Sequence, residues 1–147
     1  MTFAPVGKWD RMARIRHIAI ASDEPGEAAE FFKQAFGLSE VRSFGVDADT
    51  GKARPGAAVG LTDGELNITF IKFAVDQTGV GLDYRGIHHF GVQVDDMDDH
   101  TEILEGLGAP CIAGRDAIPP GAHLEIKFRG PDGVVFDISE LPWPGTE

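Results

Sequence analysis

The sequence predicts an α+β fold made of two copies of one module, each a strand, a helix and three further strands. Three observations carry that expectation. A strand-like run, a helix-like run and a stopping glycine occur twice in that order, as "RIRHIAIAS", "GEAAEFFKQAF" and Gly37, then as "GIHHFGVQV", "DDMDDHTEILEGL" and Gly108. The spacings agree, with 20 residues from His17 to Gly37 and 19 from His89 to Gly108. Each copy also closes on two strand-like runs joined by an Asp-Gly turn, Asp63-Gly64 in the first and Asp132-Gly133 in the second. Self-similarity on this scale marks an internal repeat. The modules are placed at 14–73 and 86–141 of a single domain spanning 1–147, with a Gly- and Asp-rich connector from Ala74 to Arg85.

The opening "MTFAPVGKWDRMAR" has no continuous apolar run and reads as an irregular lead-in rather than a secretory signal. In "RIRHIAIAS", side chains alternate, so His17, Ala19 and Ala21 share one face and Ile18 and Ile20 the other. Ser22 or Asp23 is placed to cap the helix that follows, and Pro25 suits its first turn. That helix carries Ala28, Phe32 and Ala35 on one face, widened by Phe31 and Phe36, and Gly37 can end it. "AAVGLTDG" then leads into "ELNITFIKF", where Asn67, Thr69 and Ile71 alternate with Leu66, Ile68 and Phe70. In the second copy His89, Gly91 and Gln93 oppose Phe90, Val92 and Val94, and the helix offers Ile103, Leu104 and Leu107 before Gly108. "HLEIKFRGPDG" leads into "VVFDISE", where Asp137 and Ser139 alternate with Phe136 and Ile138.

Composition bounds the function. At 147 residues, 42% hydrophobic and 25% charged, the chain has the make-up of one ordinary globular domain, without an apolar run long enough for a transmembrane helix. A net charge of -11 and no basic cluster work against nucleic acid and anionic membrane surfaces as partners. Cys111 is the one cysteine and sits in no thiolate motif, so it reads as a structural residue. A cytoplasmic location is expected.

His17 and His89 hold equivalent places in the repeat. Alanine or glycine beside each keeps that face clear, which gives a concave cup with room for a ligand and two neutral imidazoles suited to a divalent metal. His88 takes the opposite side with Phe90 and reads as structural. Asn67 and Asp137 occupy matching places near the module ends. An aspartate flanked by Phe136 and Ile138 is costly to bury alone, and a cation is its natural partner.

At these residues the chain resembles the vicinal oxygen chelate superfamily, which includes glyoxalase I, extradiol dioxygenases, methylmalonyl-CoA epimerase and the bleomycin and fosfomycin resistance proteins. The resemblance runs from Arg14 to Leu141 and rests on "RHIAIAS", "AAEFFKQAFGL", "HHFGVQVDD" and "FRGPDGVVFDISE". It implies that the two βαβββ modules form a curved, mixed, mostly antiparallel sheet with the helices outside. It also implies a small-molecule substrate, a homodimer, and a cup closed within one chain or by exchange between two. A divalent metal (Fe, Ni, Mn, Co or Zn) is implied, held by His17, Asn67, His89 and Asp137, with Asp137 also the catalytic base. Glyoxalase-like members usually carry Glu, or sometimes Gln or His, at the place of Asn67, and Glu at the place of Asp137. An amide cannot accept a proton as a base, so poor glyoxalase I activity is expected.

The first functional expectation is a metal-dependent, glyoxalase-like lyase or isomerase on a small oxygen-chelating substrate, stabilising an enolate-like intermediate. Glu140 is a further candidate base at the rim. The second is an Fe(II) ring-cleaving dioxygenase that uses His17, His89 and Asp137; such enzymes of the family also use His or Tyr for proton transfer, but His123 and Tyr84 read as surface or structural residues. The third, from another class, is a protein that sequesters a drug or metabolite without turnover.

Overall fold

A strand whose two faces are Ile18 and Ile20 against His17, Ala19 and Ala21 can bury both, and in the folded chain it does so from the centre of the sheet. A computed structural model describes residues 13–146, so the lead-in read at the N-terminus lies almost wholly outside the described residues. The first module is β1 (Arg14–Ala21), α1 (Pro25–Phe36), β2 (Ser39–Val46), β3 (Ala53–Thr62) and β4 (Asn67–Ile71). The second is β5 (Gly86–Gln93), α2 (Met97–Gly106), β6 (Cys111–Ala113), β7 (Ile126–Arg129) and β8 (Val135–Ser139). All eight strands form one curved open sheet in the order β2-β3-β4-β1-β5-β8-β7-β6. β1 runs parallel to β4 and β5 parallel to β8, while the other pairs are antiparallel. The modules therefore join edge to edge through β1 and β5.

Each module has its own apolar core, on the face of the sheet away from the histidines. α1 lays Ala28, Ala29 and Phe32 on Val59, Leu61 and Phe70. In the second module Met97 and Leu104 of α2 pack with Val94, Ile126, Phe128 and Ile138. The apolar stripe of α1 is narrower than expected: Phe31 and Phe36 stay exposed. Phe31 lies two residues beyond buried Ala29, which turns it about 200° around the helix.

The helix ends also differ from expectation. Glu24, not Ser22 or Asp23, holds the N-cap of α1, and its side chain accepts instead from the Ala53 backbone at 3.1 Å. Gly37 closes α1 in the left-handed conformation, with φ 70°. At α2, Asp96 accepts from the Asp99 N–H, and the Glu140 carboxylate accepts from the Met97 N–H at 2.8 Å. Glu140, a rim candidate in the sequence, is thereby committed to tying the start of α2 to the end of β8.

The chain after β8 crosses the concave side of the sheet. The carbonyls of Pro142, Pro144 and Gly145 accept from His123 Nε2, Asn67 Nδ2 and Thr62 Oγ1, so this segment is tied to both modules. Trp143 is buried against Gly91, where an added Cβ would lie 2.7 Å from the indole ring. The clearance at Gly91 thus admits Trp143, not a ligand as the sequence suggested.

Candidate metal centre

Strand register decides how each histidine is held. In the parallel β1–β4 ladder His17 lies abreast of Asn67. Asn67 Oδ1 sits 2.7 Å from His17 Nδ1 and also accepts from Thr69 Oγ1 at 2.6 Å, while Asn67 Nδ2 donates to the Pro144 carbonyl. An amide oxygen only accepts, so His17 carries its proton on Nδ1 and keeps Nε2 as a free lone pair. Both lone pairs of Asn67 Oδ1 are engaged.

The second ladder is offset. Asp137 lies abreast of Gly91, two residues beyond His89, so Asn67 and Asp137 share a face without sharing a register. From that place Asp137 Oδ2 meets His89 at Nε2, 2.9 Å away, and His88 Nδ1 lies 2.7 Å from His89 Nδ1. His88 is held by a stacked Phe73 ring at 4.2 Å and by Thr78 Oγ1 at 3.2 Å from its Nε2. Burial keeps these imidazoles neutral: it pulls His17 and His88 down to about 4 and His89, with the charge of Lys127 adding to the effect, to about 3.

β7 and the residue before it supply two groups that sequence reasoning passed over, Glu125 and Lys127. Across the β7–β8 hairpin Lys127 pairs with Asp137, which brings Nζ to 3.2 Å from Asp137 Oδ1 and 3.5 Å from Glu125 Oε2. Glu125 Oε1 lies 3.4 Å from His123 Nδ1. Burial and the neighbouring Glu125 charge push Asp137 well above the usual carboxylate range. Burial also works against the ionised form of Glu125, but the closeness of Asp137 and His123 and the charge of Lys127 outweigh it and hold Glu125 well below that range.

His17, His89, Glu125 and Asp137 each present a ligand atom, and the four atoms lie within 4.8 Å of one another. Asp137 is fully buried, and neither oxygen takes a properly directed hydrogen bond despite the close His89 and Lys127 nitrogens. Buried carboxylate oxygens lacking directed bonds, beside two neutral imidazoles, fit a divalent cation.

The cluster floors a cavity of about 770 Å³ with walls that include Phe44, Ile71, Phe73, Ile118 and Pro119. His17, His89, Glu125 and Lys127 border this space and Asp137 does not, so Glu125 is the carboxylate that faces the cavity. Trp143 forms another part of the wall, stacked between His17 at 5.0 Å and His123 at 4.7 Å. Tyr84 gives its hydroxyl to the Ile87 carbonyl and is not part of this wall. Cys111 is exposed on β6. No helix among the described residues is long and apolar enough to cross a membrane.

Two βαβββ modules joined at one seam, with a two-histidine, two-carboxylate cluster on the floor of an apolar cup, define a class of fold. Residues 14–138 match the family model described as the Glyoxalase/Bleomycin resistance protein/Dioxygenase superfamily, and the chain belongs to that vicinal oxygen chelate family. Similar solved structures include a methylmalonyl-CoA epimerase from Streptomyces coelicolor in complex with 2-nitronate-propionyl-CoA, at 16% identity and TM-score 0.63, covering 85% of this chain and 94% of that one. The methylmalonyl-CoA epimerase from Mycobacterium tuberculosis shares 18% identity at TM-score 0.59, with 88% of each chain covered. A hypothetical protein from Bacillus halodurans shares 17% at TM-score 0.62, covering 86% of this chain and 92% of that one. These likenesses are of fold. Comparison with curated protein sequences gave no significant match.

Proposed function

We propose that the protein is a metal-dependent isomerase or lyase acting on a small, largely apolar substrate with adjacent oxygens, by moving a proton at the carbon beside them. The observation that carries this reading is the set of four donor atoms within 4.8 Å of one another on the floor of an apolar cavity. His17, through its free Nε2, and His89 would hold the ion, and Asp137 would supply the buried anionic ligand. Asn67, whose oxygen is already shared by two donors, positions His17 in place of the ligand role expected of it. A bound divalent ion would polarise the substrate's oxygens as a Lewis acid. Glu125, ionised and bordering the cavity, takes the proton, the role the sequence gave to Asp137. Neighbours named as epimerases make isomerisation a natural chemistry for the fold. The net charge of -11 argues for a substrate less anionic than their CoA esters. Both modules of the cup belong to one chain, so a homodimer, which remains part of this proposal, is not needed to assemble the site.

One observation favours a ring-cleaving dioxygenase as second reading: His123, an imidazole of the kind such chemistry uses for proton transfer, borders the same cavity next to Glu125. Metal analysis of protein purified without chelator, followed by a proton-exchange screen in deuterated water with small 2-oxo acids and hemithioacetals, tests the proposal. The expected result is about one divalent ion per chain and exchange at the carbon beside the carbonyl, lost by roughly a hundredfold or more in Glu125→Gln with the metal retained. Oxygen uptake on catechols would replace this reading with the second. A metal-free protein that binds an aromatic ligand without product would replace it with sequestration.

A further inference from the structure

Glu125 and Lys127 alternate along the same face of the chain, and the hairpin register sets Lys127 directly opposite Asp137. The result is a lysine whose side chain is only 13% exposed, with Nζ 3.2 Å from Asp137 Oδ1 and 3.5 Å from Glu125 Oε2. Two of the four cluster donors therefore already have a cation beside them. Resting on the metal reading above, we propose that the Lys127 ammonium is the resident counter-ion of the metal-free centre, and that a divalent ion must displace it to bind.

The argument is one of space and charge. The four donor atoms lie within 4.8 Å of one another, so an ion among them sits a few ångströms from Nζ where it now stands. Like charges that close, screened from water by the buried walls, repel strongly, and the two occupancies exclude each other. The ammonium is a point charge with three rotatable donors on a flexible stem, so it can leave without disturbing the strand that carries it. It has somewhere to go, because Lys127 borders the cavity. There it faces the space a bound substrate would fill, where it would be a donor to that substrate's oxygens. Divalent-ion affinity is then lower than the ligands alone would give, because each binding event also has to break the ammonium's contacts with the two carboxylates.

Cobalt(II) titrations of the full chain, followed by visible absorbance and calorimetry, test this in the wild type, Lys127→Met and Lys127→Arg. Lys127→Met keeps the length of the stem without the charge and is expected to bind cobalt at least tenfold more tightly. Lys127→Arg keeps the charge and is expected to bind no more tightly than wild type. Without metal, Lys127→Met is expected to melt below wild type, since two buried acids lose their counter-ion, and cobalt is expected to raise its Tm by more than it raises that of wild type. If Lys127→Met does not fold without metal, Lys127→Gln, uncharged but polar, is titrated in its place with the same expectation. Equal or weaker cobalt affinity in the folded uncharged variant overturns the inference while leaving the metal reading intact. No cobalt binding by wild type or any variant overturns the metal reading, and this inference with it.

Discussion

In the first module the histidine and its partner stand abreast on neighbouring parallel strands, and in the second they are two residues out of step. His17 consequently receives an amide at Nδ1 and presents a free Nε2, whereas His89 meets its carboxylate at Nε2 and leans on His88 at Nδ1. The repeat has kept the face and position of both histidines while changing how each is secured. A neutral amide fully occupied by local donors can only orient a ring. A buried carboxylate whose oxygens have no directed bond can do more, because it has capacity left for a cation. The difference suggests a division of labour in which one half supplies a fixed nitrogen and the other supplies nitrogen, charge and proton chemistry.

The largest expected effect treats the halves as equals. His17→Ala and His89→Ala each remove a donor from the cluster, and each is expected to weaken divalent-metal binding by about a hundredfold or more, beyond the usual loss for a partner one step removed from the metal. Inductively coupled plasma analysis of purified variants measures this; retention of a full metal complement in either variant breaks the proposed site.

The next effect separates the halves. Asn67→Ala leaves His17 without its acceptor and is expected to weaken metal binding by about 10- to 100-fold. His88→Ala is expected to cost less, because His89 stays buried on a central strand beside Asp137 without it. Parallel metal titrations compare them, and equal losses would show that the two histidines are secured alike.

The smallest effect concerns protons. Burial pulls His17 from 6.5 to about 4, so between those values the unfolded chain takes up a proton that the native chain refuses. Native stability therefore falls as pH drops from about 6.5 towards 4, and this contribution is whole again above 6.5. In His17→Gln the slope of stability against pH across that window is expected to flatten by one proton, about 1.4 kcal/mol per pH unit. Urea unfolding at several pH values in the presence of chelator measures it, and an unchanged slope would mean that the His17 ring titrates as if in water.

The elements visible in the sequence are those with two distinct faces. β1, β4, β5 and β8 each set apolar residues against polar or small ones, and all but β1 begin near a glycine or Asp-Gly turn. β2 and β6 could not be located, the former because it is exposed along most of its length and the latter because it is three residues long. Glu125 and Lys127 went unread because Glu and Lys alternating with Leu124, Ile126 and Phe128 look like the wet side of a hairpin. A signal was present: a hairpin turning at Asp132 puts Lys127 opposite Asp137, so the polar side of β7 had to face wherever Asp137 faced. Trp143 gave no such signal, since it lies in an irregular segment after β8 with no period to read.

β1 sits between β4 and β5, and the seam with β5 is where the halves of the sheet meet. His17 pairs with a residue 50 positions later, whereas Ala19 pairs across the seam with His89, 70 positions later. Contacts this distant in sequence form slowly, because the intervening chain must give up its freedom before the pairing repays it. While the first half waits, the open side of β1 exposes a row of unpaired amides and carbonyls in an apolar strand, the kind of edge on which foreign strands add. The architecture that brings two histidines together in a single chain thus exposes the newborn protein to aggregation, and the hazard lasts until β5 docks.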